Sequence, residues 1–148
     1  MNSTNSHRIS KNDSMGDWYE NIAEQFYSKL LQEEPLERNR THGIDLVYSS
    51  HKIEVKGIEN LLQKLSTKSK RFQIRFWKIH RKHANKQLTL YSFVLFDEIL
   101  FPDPLIFSVE AELVHQRIEE KPNSHWVWFP LWWILENYNP KFSCLPEN

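Results

Sequence analysis

Asp45, Glu54 and Lys56 are the residues of this chain whose types and spacing best suit chemistry. They fall in two alternating, β-branched runs, GIDLVY from Gly43 and KIEVKG from Lys52. The polar Ser49, Ser50 and His51 separate the runs, which predicts a β-hairpin. Alternation puts Glu54 and Lys56 on one face of their strand and Ile53 and Val55 on the other. A turn pairing Ser49 with Lys52, or a longer loop pairing Tyr48 with Ile53, sets Val47 opposite Glu54 and Asp45 opposite Lys56. Either register gathers Asp45, Glu54 and Lys56 on one face. An odd-length loop without a bulge would break the cluster, because a one-residue slip flips a strand.

Two carboxylates beside an ammonium suit a hard cation such as Mg²⁺, with Mn²⁺ as a substitute and water completing the coordination. Such an ion polarises a phosphoryl oxygen and lowers the pKa of a bound water. Lys56 could orient that water or stabilise charge growing on a phosphate. Glu20 could add an oxygen ligand or shape a second metal position. Glu24 lies one helical turn on and competes for that role.

The positioning elements can be read from periodicity. Residues 1–14 are polar, with little to bury, and read as a disordered tail before a single domain over 15–148. Trp18, Ile22, Ala23, Phe26, Leu30 and Leu31 recur at helical spacing, and Pro35 lies past the helix end. Leu36 to Arg40 is a candidate first edge strand, and Asn60 to Ser66 a short helix or loop. Lys70 to Ile74 suits an extended entry leading into a helix that ends near His83. Leu88 to Phe96 (LTLYSFVLF) reads as a central strand covered on both faces. After Pro102 and Pro104, Ile106 to Val109 is a candidate strand and Glu110 to Glu119 a candidate helix. Trp126 to Tyr138 closes the chain.

Nineteen basic and nineteen acidic residues cancel, so net charge selects no partner. Their distribution is uneven: no acidic residue occurs between Asn60 and Phe96. Lys68, Lys70, Arg71, Arg75, Lys78, His80 and Lys82 all lie there, as expected of a segment that grips phosphates. A solvated face is the competing reading. His80 and His83 could share a helix face, but no third ligand has recognisable spacing, so zinc is disfavoured. The aromatic share is 14%, and Trp126, Trp128, Phe129, Trp132 and Trp133 crowd the end of the chain. Such rings can stack on unpaired bases, although core or interface packing is the favoured reading.

The length of 148 residues suits one α/β domain. Cys144 is the only cysteine, which excludes a disulfide framework and favours a reducing, cytoplasmic setting. No signal peptide or span of membrane length is visible, so the expectation is a soluble protein away from membranes.

Asp45 followed by Glu54-Val55-Lys56 on the next strand resembles the Asp…(Asp/Glu)-x-Lys signature of the restriction-endonuclease-like, or PD-(D/E)XK, nuclease superfamily. Gly16, Glu20 and Ala23 are similar to the acidic first helix of many members. The basic KRFQI, a helix reaching His80 and the strand LYSFVLF resemble the layout of resolvase-like and archaeal-type members. The likeness covers roughly Gly16 to Asp97. It implies a three-layer α/β fold with a mixed central sheet and an αβββαβ core, and Mg²⁺-dependent phosphodiester hydrolysis. Asp45 and Glu54 would ligate metal, Lys56 would serve catalysis and Glu20 would be accessory. Ile44 stands where the superfamily's name-giving proline would be. The implied substrate is DNA rather than RNA, cut by structure more than by sequence, and concerted double-strand cutting would require a homodimer. The competing reading keeps the fold as a non-catalytic module that binds nucleic acid or a protein.

Overall fold

The computed structural model describes residues 11–37 and 44–146, with side chains from Gly16 onward. Helix α1 spans Lys11–Leu31. It therefore begins inside the stretch read as a tail; residues 1–10 lie outside the described residues. Its buried stripe is Tyr19, Ala23 and Tyr27, one residue per helical turn on a single face. Trp18, Ile22 and Phe26 flank that stripe and are partly buried against it. The helix stops where Gln32 takes a φ of 57°, a left-handed conformation that ends helices.

A four-stranded mixed sheet follows. Strands β1 (Leu46–Val47), β2 (Lys52–Glu59), β6 (Leu90–Phe96) and β7 (Leu105–Glu110) lie in that spatial order. The β2–β6 pair is parallel and the other two pairs are antiparallel. Glu37 bridges to Val47 beyond β1, and Cys144 bridges to Ile106 beside β7, so each outer strand carries a further backbone contact. The candidate edge strand at Leu36 to Arg40 is represented by that Glu37 bridge; residues 38–40 lie outside the described residues, as does Gly43.

The long connection between β2 and β6 corrects a sequence expectation. Asn60 to Ser66 contains strand β3 (Leu62–Lys64), paired with β4 (Phe72–Ile74). Where a helix to His83 was expected, β5 (Trp77–His80) and a short 3₁₀ turn over Arg81–His83 stand instead. The second helix of the αβββαβ order is therefore absent among the described residues. The partner of β5 explains this. Strand β8 (Trp126–Phe129) pairs with it antiparallel, placing Trp77 opposite Phe129 and Ile79 opposite Val127. All four of these side chains are buried, so alternate-residue burial prevails over helical spacing.

Helices α2 (Ala111–Glu119) and α3 (Leu131–Asn137) complete the described elements. The sheet separates two apolar clusters. One lies against α1 and contains Leu46, Ile53, Leu90 and Val94. The other contains Ile58, Tyr91, Phe93, Val109 and Val114, with the β5–β8 ribbon and α3 packed over it. Strand β6 is buried from Leu90 to Leu95, as its unbroken apolar run requires. Among the described residues no helix is long and apolar enough to cross a membrane.

Candidate active site

The hairpin turns tightly at Ser49 and Ser50: the Tyr48 N–H donates to the His51 carbonyl at 2.7 Å. Ser49 is tied to α1's end, its N–H and Oγ donating to the Glu33 carboxylate at 2.8 and 2.9 Å. The ladder pairs Leu46 with Ile53 and Val47 with Lys52. This register is displaced by two residues from the expected one, in which Leu46 would face Val55. An even displacement keeps every side chain on its predicted face. It changes the neighbour, so Asp45 meets Glu54 rather than Lys56.

The opposite sides of β2 confirm the alternation. Ile53 and Val55 pack into the cluster against α1, and Gly57 lies against the Tyr19 ring. Ile58 belongs to the other cluster, so Glu54 and Lys56 share its face, away from α1. On that face Glu54 is level with Tyr91 and Lys56 with Phe93 across the parallel ladder.

Asp45 and Glu54 are both buried. The Val55 N–H donates to Asp45 Oδ2 at 2.7 Å, fixing the carboxyl. Lys56 Nζ stands 3.5 Å from Glu54 Oε2 and is partly open to solvent. Burial holds the Asp45 carboxyl well above the usual carboxylate range. A hydrogen bond with Glu54 and the repulsion of its charge add to the rise, while the Val55 N–H and Lys56 oppose it. A low-polarity site cannot easily carry two adjacent negative charges, so the pair retains a proton.

A cation bound by the two carboxyls would relieve the same repulsion. Mg²⁺ commonly uses one or two protein carboxylates and keeps several waters, and Asp45 with Glu54 fits that donor set. Among the described residues no three His, Cys, Asp or Glu side chains converge as a metal-binding group. Glu20 is half-buried on α1, beside Tyr19, and α1 covers the sheet face opposite Glu54 and Lys56. The structure thus brings together Asp45, Glu54 and Lys56 and does not group Glu20 with them.

Tyr91, level with Glu54 on the parallel ladder, in turn meets His115 of α2. The Tyr91 hydroxyl is 3.0 Å from His115 Nε2, both buried. Burial, and then the charge of Glu54, hold the Tyr91 proton on its oxygen. Burial and Lys86 keep His115 below its ordinary range, against the pull of Glu119. A neutral His115 and the Tyr91 hydroxyl share that hydrogen bond, the imidazole tautomer deciding which of them donates. The parallel register that sets Tyr91 beside Glu54 cannot be read from local alternation, and no spacing singles out His115.

The basic residues divide between two surfaces. Lys68, Lys70 and Arg71 lie on or beside the exposed turn of the β3–β4 hairpin. Arg75 is anchored, Nη1 donating to the Glu59 carbonyl at 2.6 Å. Lys78 is exposed on β5, and His80 ends that strand, its Nδ1 accepting the Lys82 N–H at 3.2 Å. His80 and His83 are on a strand end and a 3₁₀ turn rather than one helix face. Trp126, Trp128 and Trp132 are exposed while Phe129 and Trp133 are buried, so core packing accounts for only part of the aromatic segment. Neither family models nor characterised protein sequences gave a match to this chain.

Proposed function

We propose that this chain is a metal-dependent nuclease of the restriction-endonuclease-like class, hydrolysing phosphodiester bonds in DNA. The observation that carries the reading is the buried Asp45–Glu54 carboxyl pair with Lys56 beside it. The order of a leading helix, an antiparallel hairpin and a strand parallel to its second arm also supports it. Mg²⁺ bound by Asp45 and Glu54 would supply Lewis acidity toward a phosphoryl oxygen and a more acidic water.

The chain's own groups have separable roles. Asp45 must surrender its proton to act as a ligand, and the Val55 N–H holds its carboxyl in place meanwhile. Lys56 is anchored by Glu54 but open to solvent, so its ammonium can meet a phosphate and offset the charge that grows as water adds to phosphorus. A new P–O bond forms to water, the ester P–O bond breaks, and the departing oxygen takes up a proton. Arg75 and Lys78 lie downstream on the segment free of acidic residues, suited to the flanking phosphates.

The test is cleavage of supercoiled, linear, single-stranded and four-way-junction DNA with Mg²⁺, Mn²⁺ or EDTA. Metal-dependent cutting that disappears in Asp45→Asn and Lys56→Ala is the expected result. Cutting that persists in both variants removes the assigned site. Tight, metal-independent DNA binding without cutting would favour the non-catalytic module.

A further inference from the structure

The β5–β8 ribbon has an outer face whose aromatic residues have no part in the proposed active site. Lys78 pairs with Trp128 and His80 with Trp126 across the ladder, and opposite residues share a face. Trp126 and Trp128 are 47% and 53% exposed, although their strand neighbours Val127 and Phe129 are fully buried. Large rings that a folded core could have covered are thus held toward solvent on a backbone fixed from beneath.

Next to Trp128 is a cleft of about 290 Å³ whose lining includes Gln63, Gln73, Arg75, Phe76, Lys78 and Trp128. That volume is near the lower edge of the roughly 300–1,000 Å³ range of small-molecule clefts. Phe76 and Trp128 form its aromatic wall, their ring centroids 4.8 Å apart and their planes tilted by 33°. Gln63 and Gln73 are direct partners on the β3–β4 ladder, so two amides share that hairpin. The Lys78 ammonium lies over the Trp126 ring at 5.0 Å.

We infer that this cleft receives an unpaired base of a single-stranded nucleic acid. An aromatic wall supplies a stacking surface for any base. The two glutamine amides can donate to and accept from a base edge, which is accessible only when the base is unpaired. Arg75 and Lys78 bring positive charge to the same cleft, and among the described residues no carboxylate lines it; the chain from Asn60 to Phe96 contains none at all. A purely apolar partner would gain nothing from two cations and two amides, whereas a nucleotide uses the aromatic, amide and cationic groups together. The inference takes its partner class from the nuclease reading and narrows the substrate to one with an unpaired nucleotide near the cut.

The experiment separates the two readings by measuring binding without cleavage. Full-length Asp45→Asn protein in EDTA would be titrated into a short fluorescein-labelled oligodeoxyuridylate, the matching oligouridylate and a blunt duplex of equal length. Anisotropy gives affinity, and tryptophan quenching reports stacking. Either single strand should bind more tightly than the duplex. Adding Trp128→Ala should weaken that binding about ten-fold or more, and Gln63→Ala with Gln73→Ala should weaken it without altering tryptophan emission of the free protein. The preferred strand identifies the sugar. Equal affinity for duplex and single strands overturns the inference, as does wild-type affinity in a folded Trp128→Ala protein or no binding to either strand. Cleavage by the chain with Asp45 intact is read separately, so loss of one reading does not conceal the other.

Discussion

Asp45 and Glu54 are two buried carboxyls brought side by side by the β1–β2 register, with the Val55 N–H donating to Asp45 Oδ2 at 2.7 Å. Burial of such a pair costs stability unless a proton or cation intervenes. Asp45→Asn removes the charge and leaves an amide oxygen for the Val55 N–H. The metal-free variant should be more stable than the parent at alkaline pH by on the order of 1–3 kcal/mol, while metal-dependent cleavage is lost. Urea unfolding in EDTA beside a cleavage assay checks both halves. A variant that is destabilised and inactive would mean that Asp45 serves the fold rather than the site.

The same carboxyl makes stability depend on pH. Its proton is held more tightly in the folded chain than in the unfolded one, because burial and Glu54 oppose ionisation. The contribution is complete below the ordinary carboxylate value and is lost as pH rises through the raised folded value. Without metal, Tm should therefore drift downward from mildly acidic to mildly alkaline pH, and Asp45→Asn should flatten that drift. Added Mg²⁺ should raise Tm increasingly with pH, since binding releases the proton. Thermal melts across pH, with EDTA and with Mg²⁺, distinguish the opposing slopes.

Lys56 should matter to reaction more than to folding. Its ion pair with Glu54 is 3.5 Å long and partly solvent-exposed, and such pairs contribute roughly 0–1 kcal/mol. The proposed role in offsetting transition-state charge would be worth far more, on the order of 10²–10³ in rate. Lys56→Gln should leave Tm nearly unchanged and reduce single-turnover cleavage by that factor. DNA affinity in EDTA should fall much less. An equal loss in binding and rate would recast Lys56 as a phosphate-docking residue.

Much of this site was legible because strand alternation is a parity rule. The predicted hairpin register was displaced by two residues, yet Asp45, Glu54 and Lys56 still shared a face. Parity survives an even displacement, whereas the identity of the opposing neighbour does not. Helix α1 was legible from Trp18 to Leu31 but not at its start, which lies at Lys11 inside the stretch read as a tail, and its buried stripe is Tyr19, Ala23 and Tyr27; the amphipathic tyrosines carry less apolar signal than Trp18 and Phe26. The helix expected before His83 failed for a non-local reason. Trp77 and Ile79 are buried in alternation because β8 pairs with β5, and that partner lies far along the chain. Tyr91 and His115 were missed for the same reason, since a parallel register sets Tyr91 level with Glu54 and a distant helix brings His115 to the Tyr91 hydroxyl.

Gly57 offers a test of how α1 seats on the sheet, independent of catalysis. It lies on β2 directly after Lys56, on the face turned toward α1. A Cβ there would fall 2.1–2.4 Å from three atoms of the Tyr19 ring, distances no packed carbon can occupy. Tyr19 is buried and flanked by Trp18, with ring centroids 5.2 Å apart, so it cannot swing aside freely. Gly57→Ala should thus push α1 away from β2 and cost about 1–3 kcal/mol, read as a lower urea midpoint. Tyr19→Ala alone should also destabilise by leaving a cavity. Combined with Gly57→Ala it should cost less than the two single effects together, since the added methyl then enters the vacated space. Strict additivity in that double-mutant cycle would show that Gly57 is required for its backbone and not for the close approach of Tyr19.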